Sequence, residues 1–192
     1  MIAIIKYNAG NTCSVQNALN RLGYENRITD VEEELLKADK VIFPGVGEAS
    51  TAMSYLKERG LDRVILGLKQ PVLGICLGLQ LMCEKTDEGD TNCLGIFKNK
   101  VRKFPNKEIV PHMGWNNFTE VRGTLFNGIS PDKDVYFVHS YYADISEQTT
   151  AVCDYISPFS AALEKDNFYA TQFHPEKSAD IGEQILKNFL EL

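Results

Sequence analysis

The sequence is sparing with the residues that carry several common chemistries. It has three histidines and one tryptophan, and its five cysteines (Cys13, Cys76, Cys83, Cys93 and Cys153) contain no CxxC pair. An odd, widely spaced set of thiols offers neither a disulfide framework nor a zinc-ligand pattern, so no metal is expected; buried small hydrophobes are their commonest role. No apolar run approaches the ~18 residues of a membrane span. Met1 leads straight into a strand-like run without a charged leader or cleavage site, so a cytoplasmic location is expected. Positive charge is also short: twenty Lys and Arg stand against twenty-six Asp and Glu, a net charge of −6. Binders of a phosphate backbone usually show the opposite balance, which sets nucleic acid aside as a partner. No repeat, low-complexity tract or long linker divides the chain. What is present, 192 residues of which 44% are hydrophobic and 24% charged, is the make-up of one globular domain over residues 1–192.

The first half alternates apolar runs with amphipathic segments. Strands are predicted at Ile2–Tyr7, Glu25–Thr29, Lys40–Phe43 and Pro71–Ile75. Helices are predicted from Thr12, as N-cap, to Leu22, over a short acidic stretch at Leu35 and Leu36, from Ala49 to Arg59, from Leu61 to Leu68, and from Leu77 to Lys85. The almost wholly apolar Pro71–Ile75 run suits the interior of a parallel sheet covered on both faces. The second half is richer in strands, at Leu94–Phe104, Asn117–Val121, Asp134–His139, Ala151–Ile156, Ala161–Lys165 and Phe168–Phe173, and closes with a helix from Ser178 to Leu190. The pattern predicts an α/β fold: one open, mostly parallel sheet with flanking helices and an antiparallel extension. The basic stretch Lys98, Lys100, Arg102 and Lys103 is read as a solvated strand face.

Three segments carry chemistry. In Gly74-Ile75-Cys76-Leu77-Gly78 a cysteine stands where an apolar strand turns sharply into a helix, with glycine two residues away on each side. This is the nucleophile-elbow pattern with sulfur in place of oxygen. Exposed N–H groups at the helix start favour a thiolate, and the Leu77 N–H is placed for an oxyanion beside the sulfur. A thiolate needs a base. His174 follows a strand in Gln172-Phe173-His174-Pro175-Glu176, and Glu176 can hold the imidazole tautomer that takes the thiol proton. The third segment, Pro44-Gly45-Val46-Gly47, also lies at a strand end, where sites form in open α/β sheets; its glycines would let the Val46 N–H become a second oxyanion donor.

Together with their order and spacing, these segments and Gln80 resemble the class I (triad) glutamine amidotransferases over essentially the whole chain. Pro111-His112-Met113-Gly114-Trp115-Asn116 and Tyr136-Phe137-Val138-His139-Ser140-Tyr141 further resemble the glutaminase subunits of imidazole glycerol phosphate synthases. The resemblance implies hydrolysis of glutamine by Cys76, His174 and Glu176 through a thioester, without a cofactor. It implies an oxyanion hole of Val46 and Leu77 flanked by Gly45 and Gly47, and substrate contacts at Gln80, His139, Ser140 and Tyr141. It also implies a heterodimer with a (β/α)₈ cyclase subunit that receives the ammonia, with Trp115, Tyr136 and Lys177 at the interface and neither nucleic acid nor membrane as a partner. Two other readings fit the same residues: an amidotransferase subunit serving a sugar-modifying enzyme of surface polysaccharide assembly, and a stand-alone cysteine hydrolase. A third, a non-catalytic scaffold, is opposed by the intact Cys76, His174 and Glu176.

Overall fold

A computed structural model describes residues 1–192. Its strands, in chain order, are β1 (Ile2–Ile5), β2 (Asn26–Thr29), β3 (Lys40–Gly45), β4 (Val72–Cys76), β5 (Lys85–Thr86), β6 (Thr91–Asn92), β7 (Lys100–Lys103), β8 (His112–Asn116), β9 (Glu120–Val121), β10 (Val135–His139), β11 (Tyr141–Ala143), β12 (Thr149–Asp154), β13 (Pro158–Lys165) and β14 (Phe168–Thr171). The helices are α1 (Thr12–Arg21), α2 (Glu32–Lys37), α3 (Ala49–Glu58), α4 (Leu61–Gly67), α5 (Leu77–Met82) and α6 (Ala179–Leu190).

The main sheet runs β2-β1-β3-β4-β14-β13-β11-β7-β5-β6, with β12 and β9 branching from β13. From β2 to β14 every pairing is parallel, and from β14 to β7 the sheet continues antiparallel. The alternation of side chains divides the core in two. Ile2 and Ile4 of β1 and Ile42 of β3 face α1 and α6, meeting Val15, Leu19, Ile185 and Phe189. Ala3, Ile5, Val41 and Phe43 face the opposite way, toward Leu35, Leu56 and Ile65 of α2, α3 and α4. Apolar side chains on both faces of a strand need cover on both sides, and the crossover helices supply it.

Several predicted bounds shift. Thr12 is the first helical residue rather than the cap: Asn11 holds that place, without a side-chain cap bond. Gly23, at φ +80, ends α1's exit turn as expected. The helix after Cys76 stops at Met82 instead of Lys85, because Lys85 and Thr86 pair with β6 and β7. The predicted Leu94–Phe104 strand is ordered as strand only from Lys100. The segment around Trp115 forms β8, which pairs antiparallel with β10 as a separate ribbon, joining His112 to His139 and Trp115 to Tyr136 in register. Of the thiols, Cys76, Cys83 and Cys153 are buried, Cys93 half-buried and Cys13 exposed.

Candidate active site

The elbow is tight for a steric reason. Cys76 ends β4 at φ 55, ψ −107, a backbone conformation that side-chain-bearing residues rarely adopt and that surrounding structure must enforce. The enforcement comes from close packing: a Cβ on Gly78 would overlap the Phe43 carbonyl, and one on Gly74 would come within 2.8 Å of the Met82 sulfur. β3 and α5 can meet only because position 78 has no side chain. Gly45 and Cys76 are register partners on adjacent parallel strands, so the Pro44–Gly47 segment ends beside the sulfur.

His174 reaches the same place from the end of β14, the next strand over. Its Nδ1 lies 2.8 Å from Glu176 Oε1, and both side chains are 1% exposed. Its backbone is fixed as well: the His174 N–H donates to the Tyr136 carbonyl at 3.0 Å, and its carbonyl accepts from the Ser178 hydroxyl at 2.6 Å. The Nε2 atom is buried with no partner in regular hydrogen-bond geometry. Burial pulls the imidazolium down, but the Cys76 sulfur and the Glu176 carboxylate together outweigh it and raise the His174 pKa to about 10. A thiol, an imidazole and a carboxylate in this order can form a nucleophile, move a proton and keep the ring oriented.

Cys76 opens onto a cavity of about 300 Å³, a volume suited to a small polar molecule, whose wall includes Val46, Leu77, Gln80, Ser140 and Tyr141. His139 also reaches the wall, but its ring is committed elsewhere. Its Nδ1 lies 2.8 Å from the Tyr141 carbonyl, which can only accept, so this nitrogen carries the hydrogen. His139 Nε2 then accepts from His112 Nδ1 at 3.0 Å, and His112 Nε2 accepts from the Asn116 amide at 3.3 Å. Burial lowers the pKa of His139 to about 3 and of His112 to about 4, so both rings are neutral near pH 7.

Two expected donors are engaged in this state. The Val46 N–H donates to the Ala9 carbonyl at 2.6 Å, so it is not free for an oxyanion. Gln80 gives both amide hydrogens away, to the Tyr141 carbonyl at 3.0 Å and to Gln172 Oε1 at 3.1 Å, leaving only its own oxygen for a ligand. On the outer face of the β8–β10 ribbon, Trp115 is 55% exposed and stacks edge-on against Tyr136 at 5.9 Å; Met113 beside it is 63% exposed, and Lys177 is exposed nearby in sequence to His174.

Two contributors escaped sequence reasoning. Glu88 is the single carboxylate on the cavity wall, brought there by the turn between β5 and β6. Gln172 touches the sulfur, and a signal for it existed: residues two apart on an extended segment share a face, so Gln172 and His174 look the same way while Phe173 between them enters the core.

A model of the family "Glutamine amidotransferase class-I" matches residues 3–192. The chain is 63% identical to the imidazole glycerol phosphate synthase subunit HisH of Bacteroides fragilis (strain YCH46), over 100% of this chain and 99% of the relative. It is 46% identical to the subunit of the same name from Pasteurella multocida (strain Pm70), over 99% and 97% of the two chains. A solved glutamine amidotransferase superposes with a TM-score of 0.77 at 19% identity, covering 100% of this chain and 98% of that one. PurLQS from Thermotoga maritima gives 0.71 at 15% identity, covering 99% and 97%. Those structures share the fold, and the family match together with the full-length relatives gives the assignment: the chain belongs to the class I glutamine amidotransferases.

Proposed function

We propose that this chain is the glutaminase subunit of an imidazole glycerol phosphate synthase, hydrolysing glutamine and passing ammonia to a (β/α)₈ cyclase subunit. One observation carries the chemistry: Cys76 opens onto the cavity with His174 behind it, raised to about 10 by the sulfur and Glu176. The 63% identity to a HisH subunit supports the choice among amidotransferase roles.

In this reading Cys76 Sγ bonds to the side-chain amide carbon of glutamine, and the Leu77 N–H faces the oxyanion. The carbon–nitrogen bond then breaks, with the His174 Nε2 proton going to the departing ammonia, and a thioester remains. Water attacks the thioester and gives a proton back to His174; glutamate leaves and the sulfur is restored. Glu176 keeps the ring turned toward the sulfur. Glu88 supplies a charge partner for the substrate's α-ammonium group, while Gln80 Oε1 and the Ser140–Tyr141 segment hold the rest. The exposed Trp115 and Lys177 and the half-buried Tyr136 form the face that the cyclase covers: aromatic anchors with a cation at the rim.

Ammonia release from glutamine, measured with a cognate cyclase subunit and its ribonucleotide ligand, tests the reading. Release is expected from the wild type and not from Cys76→Ala. Equal release from both, or release from simple esters but not from glutamine, would overturn it.

A further inference from the structure

The Cys76 sulfur has two polar neighbours of opposite character besides His174. Val138 offers a carbonyl oxygen at 3.9 Å, and Gln172 offers its side-chain Nε2 at 3.8 Å, both long contacts that a small inward movement of the sulfur would tighten. A carbonyl suits a thiol, which donates to it. An amide N–H suits a thiolate, which only accepts. The sulfur therefore sits between one group that favours its protonated form and one that favours its ionised form.

The orientation of the Gln172 amide is fixed by its neighbours. The Tyr141 carbonyl can only accept, and it receives hydrogens from His139 Nδ1 and Gln80 Nε2. The atom of Gln80 that faces it is therefore the nitrogen, and the second hydrogen of that nitrogen points to Gln172 Oε1 at 3.1 Å. With its oxygen taken by Gln80, Gln172 has its nitrogen left for the sulfur. Turning the amide over would set nitrogen against nitrogen, losing the bond from Gln80, and oxygen against a thiolate, which has no hydrogen to give. The bond accepted by Oε1 also polarises the amide and strengthens Nε2–H as a donor. Gln172 is fully buried, 0% exposed, so its donor does not compete with bulk water and loses little when the pocket fills.

We propose that Gln172 is a catalytic residue whose side-chain amide is the fixed hydrogen-bond donor to the Cys76 thiolate, held in orientation by Gln80 and the Tyr141 carbonyl. His174 takes the thiol proton; Gln172 then stabilises the charge left on sulfur without moving a proton itself. The same donor meets the sulfur again when the thioester breaks and the charge returns. Its effect on turnover rests on the glutaminase reading, but its action on the thiolate does not.

Alkylation of Cys76 by iodoacetamide, followed on the Cys76 peptide by mass spectrometry between about pH 5 and about pH 9, reads the thiolate without glutamine or a partner subunit. Gln172→Met keeps the length of the side chain and removes the donor. Its alkylation profile is expected to move toward higher pH, with the rate near pH 7 falling about tenfold and meeting the wild-type rate at the alkaline end. Gln172→Glu keeps an acceptor for Gln80 and turns an anionic oxygen toward sulfur, so its rate falls further, by about a hundredfold. Wild-type alkylation at every pH in both folded variants would overturn the proposal, as would an equal loss at all pH values. If the variants do not fold, the wild-type chain with ¹⁵N-labelled glutamine decides. One side-chain amide resonance should shift along the Cys76 alkylation profile and stay fixed in Cys76→Ala; no such resonance would overturn the proposal. Glutamine left intact by the wild-type complex, with the alkylation shifts present, would defeat the glutaminase reading and leave the Gln172 contact standing.

Discussion

The amide of Val46 gives its hydrogen to the carbonyl of Ala9 at 2.6 Å, although Val46 belongs to the segment that lies beside Cys76 and lines the same cavity. Leu77, at the start of α5, is then left as the one main-chain donor of the expected pair. Turning the Gly45–Val46 peptide would break the Ala9 bond and, in the proposed glutaminase, free the Val46 N–H for the substrate oxygen. A partner that favours the turned peptide shifts the population toward the complete oxyanion hole.

The first prediction follows from that bond. One missing oxyanion donor costs about 100- to 1,000-fold in turnover. Glutamine hydrolysis by the free chain is therefore expected to be slower by about that factor than in the complex with the cyclase subunit and its ribonucleotide. Steady-state glutamate production measures the ratio, and equal rates would sink the idea.

A second prediction concerns the contact between α5 and β3. Gly78→Ala places a methyl group on the Phe43 carbonyl, which is backbone and cannot swing away. The expected cost is about 1–3 kcal/mol of stability, from overpacking. For a chain of this size each kcal/mol lowers Tm by about 2–4 °C. Because the strain falls on the elbow, Cys76 alkylation should slow as well. Calorimetry and alkylation together check both effects; an unchanged Tm would contradict the packing.

The buried histidine pair gives a pH prediction. The folded-state values of about 3 for His139 and about 4 for His112 lie below the ~6.5 of an unfolded imidazole. The unfolded chain takes up these protons first as pH falls, so stability is whole above about pH 6.5 and is lost as pH drops through 5 toward about 4 and then about 3. The urea midpoint should be lower at about pH 5 than at about pH 7. Neither ring's NMR signals should titrate between those values; a midpoint near 6.5 for either would refute the buried pairing.

Trp115 supplies the fourth. It is 55% exposed and touches Tyr136 across the ribbon rather than the core. Trp115→Ala should change Tm little. If this face meets the cyclase, the loss of an aromatic anchor should weaken binding by about 2 kcal/mol or more, roughly 30-fold in Kd. Titration calorimetry with the cyclase subunit measures it, and unaltered affinity would move the interface elsewhere.

Much of this architecture could be read along the chain. The parallel half announces itself through apolar runs closed by glycine-rich turns, because buried strands need apolar residues on both faces and tight turns need residues without side chains. The Gly-Ile-Cys-Leu-Gly corner and the His-Pro-Glu segment stand out for the same local reason. The antiparallel half was less legible: β5 has two residues and β8, His-Met-Gly-Trp-Asn, contains no apolar run, so their strand character comes from the neighbours they pair with.

The amino-acid order alone determined that the Cys76 corner, the Pro44–Gly47 turn and the His174–Glu176 segment each follow a strand, since propensity, capping and turn formation act over a few residues. The tertiary structure decided who faces whom. That Gln172 turns its nitrogen to Cys76, that Val46 spends its hydrogen on Ala9, and that His112 and His139 serve each other are matters of pairing across tens of residues. Buried polar groups take whichever partner the folded chain brings within about 3 Å, and no local pattern encodes that choice.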